Sequence, residues 1–291
     1  MKRQTYQQIL QKLRDVDSWL SGMGFSQKAD RIRLHISNIC KLEKVWRDEA
    51  LKKKFINEIG HDQLFWSLIE AAEFADIYSA LRDFEPNSLK EKLRYALEGP
   101  VNPNNETSTS NIGRNTMFEL NLASRLVQGG VPVYLQTNPD LTCEVDGRKI
   151  YIQCKRPFSE SGIPRNISDA CRQLVRDLNS SNDRGARGVI AISVSRIQNP
   201  GDKLFVADKE HNLKKLIGDC IQSVGERYRK SWANMDKRII GLLFHLITPA
   251  VMEEDKLLVA AQQVVMFSRA IGGPERTLLR KFCEILLCCK I

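Results

Sequence analysis

The dipeptide Asp146-Gly147 is the feature that most constrains the fold of this chain. It separates two runs, residues 140–145 and 148–155, in which apolar and polar side chains alternate. An Asp-Gly pair between two such runs favours a two-residue type I′ turn, because both turn residues then need a positive φ, which Asp and Gly tolerate best. The chain is therefore predicted to fold back on itself here as an antiparallel hairpin.

The turn also determines which residues face each other across the hairpin. The predicted pairs are Val145 with Arg148, Cys143 with Ile150, Leu141 with Ile152, and Asp140 with Gln153. Opposed residues have Cβ atoms ~5 Å apart and lie on the same face of the sheet. Since side chains alternate along a strand, the apolar residues share one face, and the other face carries Asp140, Gln153 and Lys155.

A carboxylate, an amide oxygen and an ammonium group are thus predicted at one end of one sheet face. Hydrolysis of a phosphodiester by a hard cation needs such groups, because Mg²⁺ prefers oxygen ligands and the reacting phosphate develops negative charge. In this interpretation Asp140 binds Mg²⁺ or Mn²⁺, Gln153 adds its side-chain oxygen, and Lys155 steadies the attacking water or the developing charge. An ordinary solvent-exposed strand face is the alternative interpretation.

Three further residues are candidates for the same chemistry. Glu119 shares a predicted helical face with apolar residues three, four and seven positions later, so it should point toward the sheet. An inward carboxylate needs a partner, and a metal ion would serve. Arg156, which follows Lys155, and Arg114 are predicted to contact nucleic-acid phosphates.

These residues resemble a known motif. Pro139-Asp140, then twelve residues, then Gln153-Cys154-Lys155 is similar to the P-D-(x)n-(E/Q)-x-K motif of the PD-(D/E)XK, or restriction-endonuclease-like, nuclease superfamily. The segment 150–156 is most similar to the Q-x-K variant of Mrr-type restriction enzymes. The resemblance covers about residues 114–195.

The resemblance implies a fold, an activity and a role. The implied fold is an αβββαβ core with a mixed central sheet, and the implied activity is Mg²⁺-dependent cleavage of DNA in restriction or antiviral defence. Glu119 matches a Glu that the first core helix of this superfamily often presents to the metal. Gln153 stands where the superfamily usually has an acid, which removes one formal charge from the metal site.

The hydrophobic pattern predicts three segments and an α/β fold class. Residues 1–98 are predicted to form an all-helical module, 99–113 a polar linker rich in turn formers, and 114–291 the nuclease-like domain. The last segment is predicted to contain helices at about 114–128, 168–179, 212–229 and after Pro274, and strands at 131–135, 188–194, 239–247 and 257–267 besides the hairpin. His245, inside one of these strands, is interpreted as a core histidine whose hydrogen bonds are satisfied.

Composition narrows the choice of partners and compartment. A balance of 44 Lys+Arg against 35 Asp+Glu gives a net charge of +9, which favours a polyanionic partner such as nucleic acid. Eight cysteines without a C-x-x-C spacing argue against a zinc ribbon. No run of ~20 apolar residues and no apolar leader are present, so we expect a cytoplasmic protein that does not bind a membrane.

The sequence also predicts binding partners and leaves two alternatives to the nuclease function. A homodimer is expected because cutting both strands of a duplex commonly needs two active sites, and a protein partner is expected at the basic N-terminal helices. One alternative is a non-catalytic member of the fold that binds nucleic acid or protein, since Gln153 weakens the metal site. Another places the function in the N-terminal helices alone.

Overall fold

The computed structural model describes residues 5–26, 30–84, 86–100, 105–107, 109–136, 138–200, 203–254, 257–269 and 272–287. These residues form two compact units. The first comprises Met1–Met117, Asn199–Leu213 and Ile247–Ala261, and the second comprises Phe118–Gln198, Lys214–Leu246 and Gln262–Ile291. No helix in the described part of the chain combines the length and the apolar character needed to cross a membrane.

The first unit begins with five helices, which confirms the helical region predicted from the sequence. They are α1 (Tyr6–Gly22), α2 (Asp30–Val45), α3 (Glu49–Ile59), α4 (His61–Leu81) and α5 (Pro86–Ala96). Local signals start two of them: Thr5 forms a capping box with Gln8 before α1, and the Asp48 side chain accepts from two backbone amides of α3. α4 is apolar on nearly all sides, since it packs against α1, α2 and α3.

The centre of the first unit holds a buried carboxylate, Glu70 on α4. Its side chain is 2% exposed and is bound by Arg31 Nε at 2.5 Å, by Arg114 Nη2 at 2.6 Å and by His35 Nε2 at 2.8 Å. Burial alone raises the pKa of Glu70, but the positive charges of Arg114 and Arg31 hold that pKa well below its usual range. A buried charge with three partners therefore holds the helices together.

The same two arginines also bind backbone carbonyls at and after the end of α5. Arg31 Nη1 donates to the carbonyl of Ala96, the last residue of α5, at 3.2 Å, and Arg114 Nη1 donates to the carbonyl of Pro100 at 3.0 Å. The Arg31 guanidinium thus satisfies a carbonyl that a helix leaves without an intrahelical donor at its C-terminus. In the predicted linker, residues 101–104 and 108 lie outside the described residues, and Glu106 is buried.

The second unit is built around most of a seven-stranded mixed sheet. Its elements are α6 (Ile112–Gln128), β1 (Val133–Leu135), β2 (Leu141–Val145), β3 (Arg148–Lys155), α7 (Ile163–Ser180), β4 (Arg187–Ser193), α8 (Ser195–Gln198), α9 (Glu210–Arg227), β6 (Ile239–Met252), β7 (Leu257–Ser268) and α10 (Gly273–Leu287). Of these, α6, α9 and β7 begin in the first unit, and β6 ends in it. The strand order is β1-β2-β3-β4-β6, with β7 also paired to β6. The short strand β5 (Phe205–Ala207) pairs in parallel with the end of β6, within the first unit.

The sheet is mixed because its connections are of two kinds. β1, β2 and β3 follow one another directly along the chain and run antiparallel, with a two-residue turn between β2 and β3. α7 connects β3 to a parallel β4, and β6 is parallel to β4. α7 packs on β3 and β4. The predicted α/β class is therefore confirmed, with helices packed on a mixed sheet.

The hairpin has the predicted turn and register. Asp146 and Gly147 have φ angles of 51° and 70°, the positive values of a type I′ turn. Leu141 pairs with Ile152, Cys143 with Ile150, and Val145 with Arg148. The paired residues end at Leu141 and Ile152, so the pairing of Asp140 with Gln153 stays a prediction. The apolar face of the hairpin is buried, and α10 packs against β2. Because a slip by one residue exchanges the two faces, this burial holds the register.

The start of α7 and the end of β6 differ from the prediction. α7 begins at Ile163 rather than at Ser168, after a 3₁₀ turn at Glu160–Gly162 and with a proline in its first turn. β6 continues five residues beyond the predicted end at Ile247. Its last residues pair with β5, so tertiary pairing extends the strand through Pro249.

Replacing the turn glycine should destabilise the protein, and the same replacement in a helix should not. Gly147→Ala forces a Cβ onto a left-handed residue and should lower the free energy of unfolding by about 1–2 kcal/mol. Gly218 lies in α9, and a Cβ added there would have no atom within 4 Å. Gly218→Ala should therefore raise the free energy of unfolding by roughly 0.5–1 kcal/mol. Urea unfolding measures both values. Equal effects of the two substitutions would contradict the left-handed turn.

Removing the charge of Glu70 should destabilise the first unit strongly. We expect Glu70→Gln to lower the free energy of unfolding by about 3–5 kcal/mol, because Arg31 and Arg114 stay buried without their counter-charge. Glu58→Gln, at an exposed ion pair with Lys54, is the control and should cost less than ~0.5 kcal/mol.

The effect of Glu70→Gln should depend on pH in one direction. The folded-state pKa of Glu70 is lowered, so its contribution is complete above the ordinary value of 4.5 and is lost as the pH falls toward the folded-state pKa. The difference in urea stability between the native protein and the Glu70→Gln variant should therefore shrink on acidification. A difference that grows toward acid would contradict the ion-pair account.

Candidate active site

The Asp140 carboxylate lies against β3. The residue directly precedes β2, and its Oδ2 accepts a hydrogen bond from the backbone N–H of Cys154 at 2.8 Å. Cys154 stands between Gln153 and Lys155 in the sequence, so this bond holds the acid beside the backbone of both residues. Asp140 and Lys155 are half-buried. The structure therefore brings the predicted acid next to the Gln-x-Lys segment at the end of the hairpin.

Gln153 is the most buried member of the candidate site. Its side chain is 1% exposed, and its Nε2 donates to Asp177 Oδ2 at 3.2 Å. Its Oε1 is buried and has no hydrogen-bond partner among the described residues. Buried polar atoms almost always have a partner, because an unsatisfied acceptor costs about 1–3 kcal/mol. An orphaned amide oxygen at this place is a candidate ligand for a cation.

α7 supplies two residues that face this part of β3. Asp177 binds Gln153, and Gln173, four residues earlier on the same helical face, has a buried Oε1 that also lacks a partner among the described residues. The sequence interpretation does not include Asp177. A signal is present, since Gln173 and Asp177 flank the apolar stripe of α7 that contains Leu174.

Glu119 and Lys155 lie on the elements that the sequence predicts for them, the helix α6 and the strand β3. Glu119 lies on α6, which is buried along most of its length, and is itself half-buried. Lys155 is the last residue of β3. Their roles as metal ligand and as the positive charge at the phosphate stay predictions.

The two arginines predicted to bind nucleic acid differ in their placement. Arg114 is 7% exposed, and its guanidinium binds Glu70 and the carbonyl of Pro100 in the first unit. The prediction that Arg114 contacts phosphates is therefore wrong, because an ion pair with Glu70 occupies the group. Arg156 follows β3 and is buried. Its contact with phosphate stays a prediction.

His245 on β6 is buried, as expected, but only one of its ring nitrogens is satisfied. The amide Nε2 of Gln262 donates to the ring Nε2 at 2.6 Å, so the neutral ring carries its proton on Nδ1. Nδ1 has no partner among the described residues. Phe118 stacks on the ring at a centroid distance of 5.1 Å. Burial, together with the charge of Arg125, lowers the pKa of His245 to about 3.

The ligand chemistry of the candidate site fits a hard cation. Its candidate donors, Asp140, Glu119 and Gln153, offer oxygen atoms, the type that Mg²⁺ and Mn²⁺ prefer. The orphaned Oε1 of Gln153 fits the same role. Within the described ranges, no group of three or more His, Cys, Asp or Glu residues is placed to hold a metal ion. A cation here therefore depends on the amide oxygen as well as on carboxylates.

A comparison of the chain with models of known families, with curated proteins and with solved structures finds no match. The resemblance to the nuclease superfamily thus rests on the motif residues and on the arrangement of helices and strands around them.

The lowered pKa of His245 predicts that its ring stays neutral at mildly acidic pH. The ¹H and ¹³C shifts of the His245 ring should stay constant from about pH 8 to pH 5, because burial and Arg125 disfavour the charged form. The unfolded chain binds this proton more readily, so the contribution of His245 to stability falls as the pH drops below the ordinary value of 6.5. A titration of the ring between pH 8 and pH 5 in the native protein would contradict the buried, half-satisfied placement.

Proposed function

We propose that the chain is a nuclease that uses Mg²⁺ or Mn²⁺ to hydrolyse phosphodiester bonds of DNA. The observation that carries the proposal is the hydrogen bond from Cys154 N–H to Asp140, which holds an acid beside Gln153 and Lys155. The element order α6-β1-β2-β3-α7-β4 supports it, because this is the αβββαβ order that the motif resemblance implies.

Each residue has a distinct task in this proposal. Asp140, Gln153 and Glu119 hold the cation through oxygen atoms. Lys155, at the end of β3, places an ammonium group near the phosphate, where it orients the attacking water and offsets the developing negative charge. When bound, the cation supplies Lewis-acid polarisation of the phosphate and lowers the pKa of its water. Asp140 is held in place by the backbone of β3, so its carboxylate is oriented before substrate arrives.

The charge of the whole chain suits a polyanionic substrate. A net charge of +9 attracts nucleic acid over distances of about a Debye length, and this attraction weakens as salt is added. A role in restriction or antiviral defence, a cytoplasmic location and a homodimer that cuts both strands belong to the same proposal. The basic N-terminal helices are proposed to bind a protein partner.

A non-catalytic nucleic-acid or protein binding module is the second candidate. The observation that favours it is the amide at position 153, which gives the site one negative charge fewer than an acid would. Such a module would bind DNA without cleaving it.

Loss of the Lys155 ammonium should slow cleavage strongly and spare the fold. With Mg²⁺ or Mn²⁺ the native protein should nick plasmid DNA, and Lys155→Met should reduce the single-turnover rate by about 100- to 1,000-fold, the usual loss when one transition-state donor is removed. Lys149→Met is the matched control, because Lys149 is an exposed lysine on the same strand. It should cleave at close to the native rate.

The outcomes separate the two candidates. DNA binding without cleavage by the native protein, with either metal, would favour the binding module. Equal rates for the Lys155→Met and Lys149→Met variants would remove Lys155 from the reaction.

A further inference from the structure

The Gln153–Asp177 contact between β3 and α7 carries an inference beyond the motif. Asp177 is half-buried on α7, and its Oδ2 lies 3.2 Å from Gln153 Nε2. A carboxylate only accepts hydrogen bonds, so it selects the amide nitrogen of Gln153 and not the oxygen. The amide nitrogen of Gln153 therefore faces Asp177, and the amide oxygen points away from Asp177.

The amide oxygen of Gln153 is the atom that this contact leaves available to a cation. Gln153 Oε1 is buried and has no partner among the described residues, and Gln173 Oε1, one turn before Asp177 on α7, shares both properties. A buried acceptor without a donor, on a side chain that contacts the Asp177 carboxylate, makes the surroundings of Gln153 electronegative. Such surroundings suit a cation, because the amide oxygen receives no hydrogen bond from the described residues.

We infer that Asp177 is a positioning residue that orients the Gln153 amide, so that its oxygen faces the cation. Asp177 also supplies a negative charge close to position 153, where β3 has a glutamine and not an acid. The inference rests on the proposed function, since the cation is the one that the nuclease reaction uses. Asp177 thus replaces, from a neighbouring helix, the acid that the strand lacks at position 153.

Metal binding to the full chain tests this inference without an activity assay. Isothermal titration with Mn²⁺ should show that Asp177→Ala weakens the affinity by about 10- to 100-fold, the usual effect of removing a residue that orients a metal ligand. Asp169→Ala is the matched control: Asp169 is on the same helix and carries the same charge, but it pairs with Arg165 and Arg172. It should change the affinity by less than about twofold.

A double substitution tests whether the cation needs the hydrogen-bonded pair with its single negative charge, and it guards against a simple loss of structure. In Gln153→Glu with Asp177→Asn, the asparagine amide donates to the glutamate, so the hydrogen bond is kept with its direction reversed and the total charge is unchanged. This variant should bind Mn²⁺ with an affinity within about threefold of that of the native protein, because the pair acts as a unit.

NMR of the metal-free protein gives a second test. The side-chain NH₂ signals of Gln153 should shift in Asp177→Ala and not in Asp169→Ala.

The possible results distinguish this inference from the proposed function. If the native protein binds Mn²⁺ and cleaves DNA, but Asp177→Ala and Asp169→Ala bind the metal equally, the positioning role of Asp177 is wrong and the nuclease stands. A double variant that stays folded by thermal unfolding but binds as weakly as Asp177→Ala would also overturn it. If the native protein neither binds Mn²⁺ nor cleaves DNA, the proposed function fails and the inference fails with it.

Discussion

The type I′ turn at Asp146-Gly147 is the constraint on which the candidate site depends. Two consecutive positive φ angles close the hairpin in two residues, and this leaves one register for β2 and β3. Only in that register does Asp140 reach the backbone of Cys154. The burial of the apolar face then reinforces the turn, because a pairing shifted by one residue would move these apolar side chains to the other face of the sheet.

Two buried polar groups of the chain, Glu70 and Gln153, differ in how their hydrogen bonds are satisfied. In the first unit, Glu70 has an arginine on two sides and a histidine on a third, so its charge is compensated and its role is to hold helices together. In the second unit, Gln153 and Gln173 keep buried oxygens without donors among the described residues. Folded proteins satisfy nearly all buried polar atoms, and the exceptions are often functional. The unsatisfied oxygen of Gln153, next to the residue whose backbone binds Asp140, is why we propose that the chemistry lies at β3 and α7.

The features that the sequence predicts best depend on interactions between residues close together in the chain. The hairpin, its register and the helix that carries Glu119 follow from turn chemistry and from hydrophobic periods that span a few residues. The αβββ order up to β3 follows in the same way. The metal-binding roles of Asp140, Gln153 and Glu119 stay predictions, because they depend on an ion and not on the chain alone.

The predictions that differ from the structure concern contacts between residues that are far apart in the sequence. Arg114 looked available to phosphate because its partner, Glu70, is 44 residues earlier in the sequence. Asp177 was missed because its contact with Gln153 depends on how α7 packs on β3. The end of β6 was predicted too early, since Pro249 is a poor strand residue unless a neighbour such as β5 pairs beside it.

The central claim is that Asp140 and Gln153 bind one divalent cation with their oxygen atoms. Crystals of the native protein soaked in Mn²⁺ test it most directly, through anomalous scattering at the manganese edge. The account predicts an anomalous peak within coordination distance of an Asp140 carboxylate oxygen and of Gln153 Oε1. A well-ordered hairpin with no peak there, or with manganese bound only elsewhere, would contradict it.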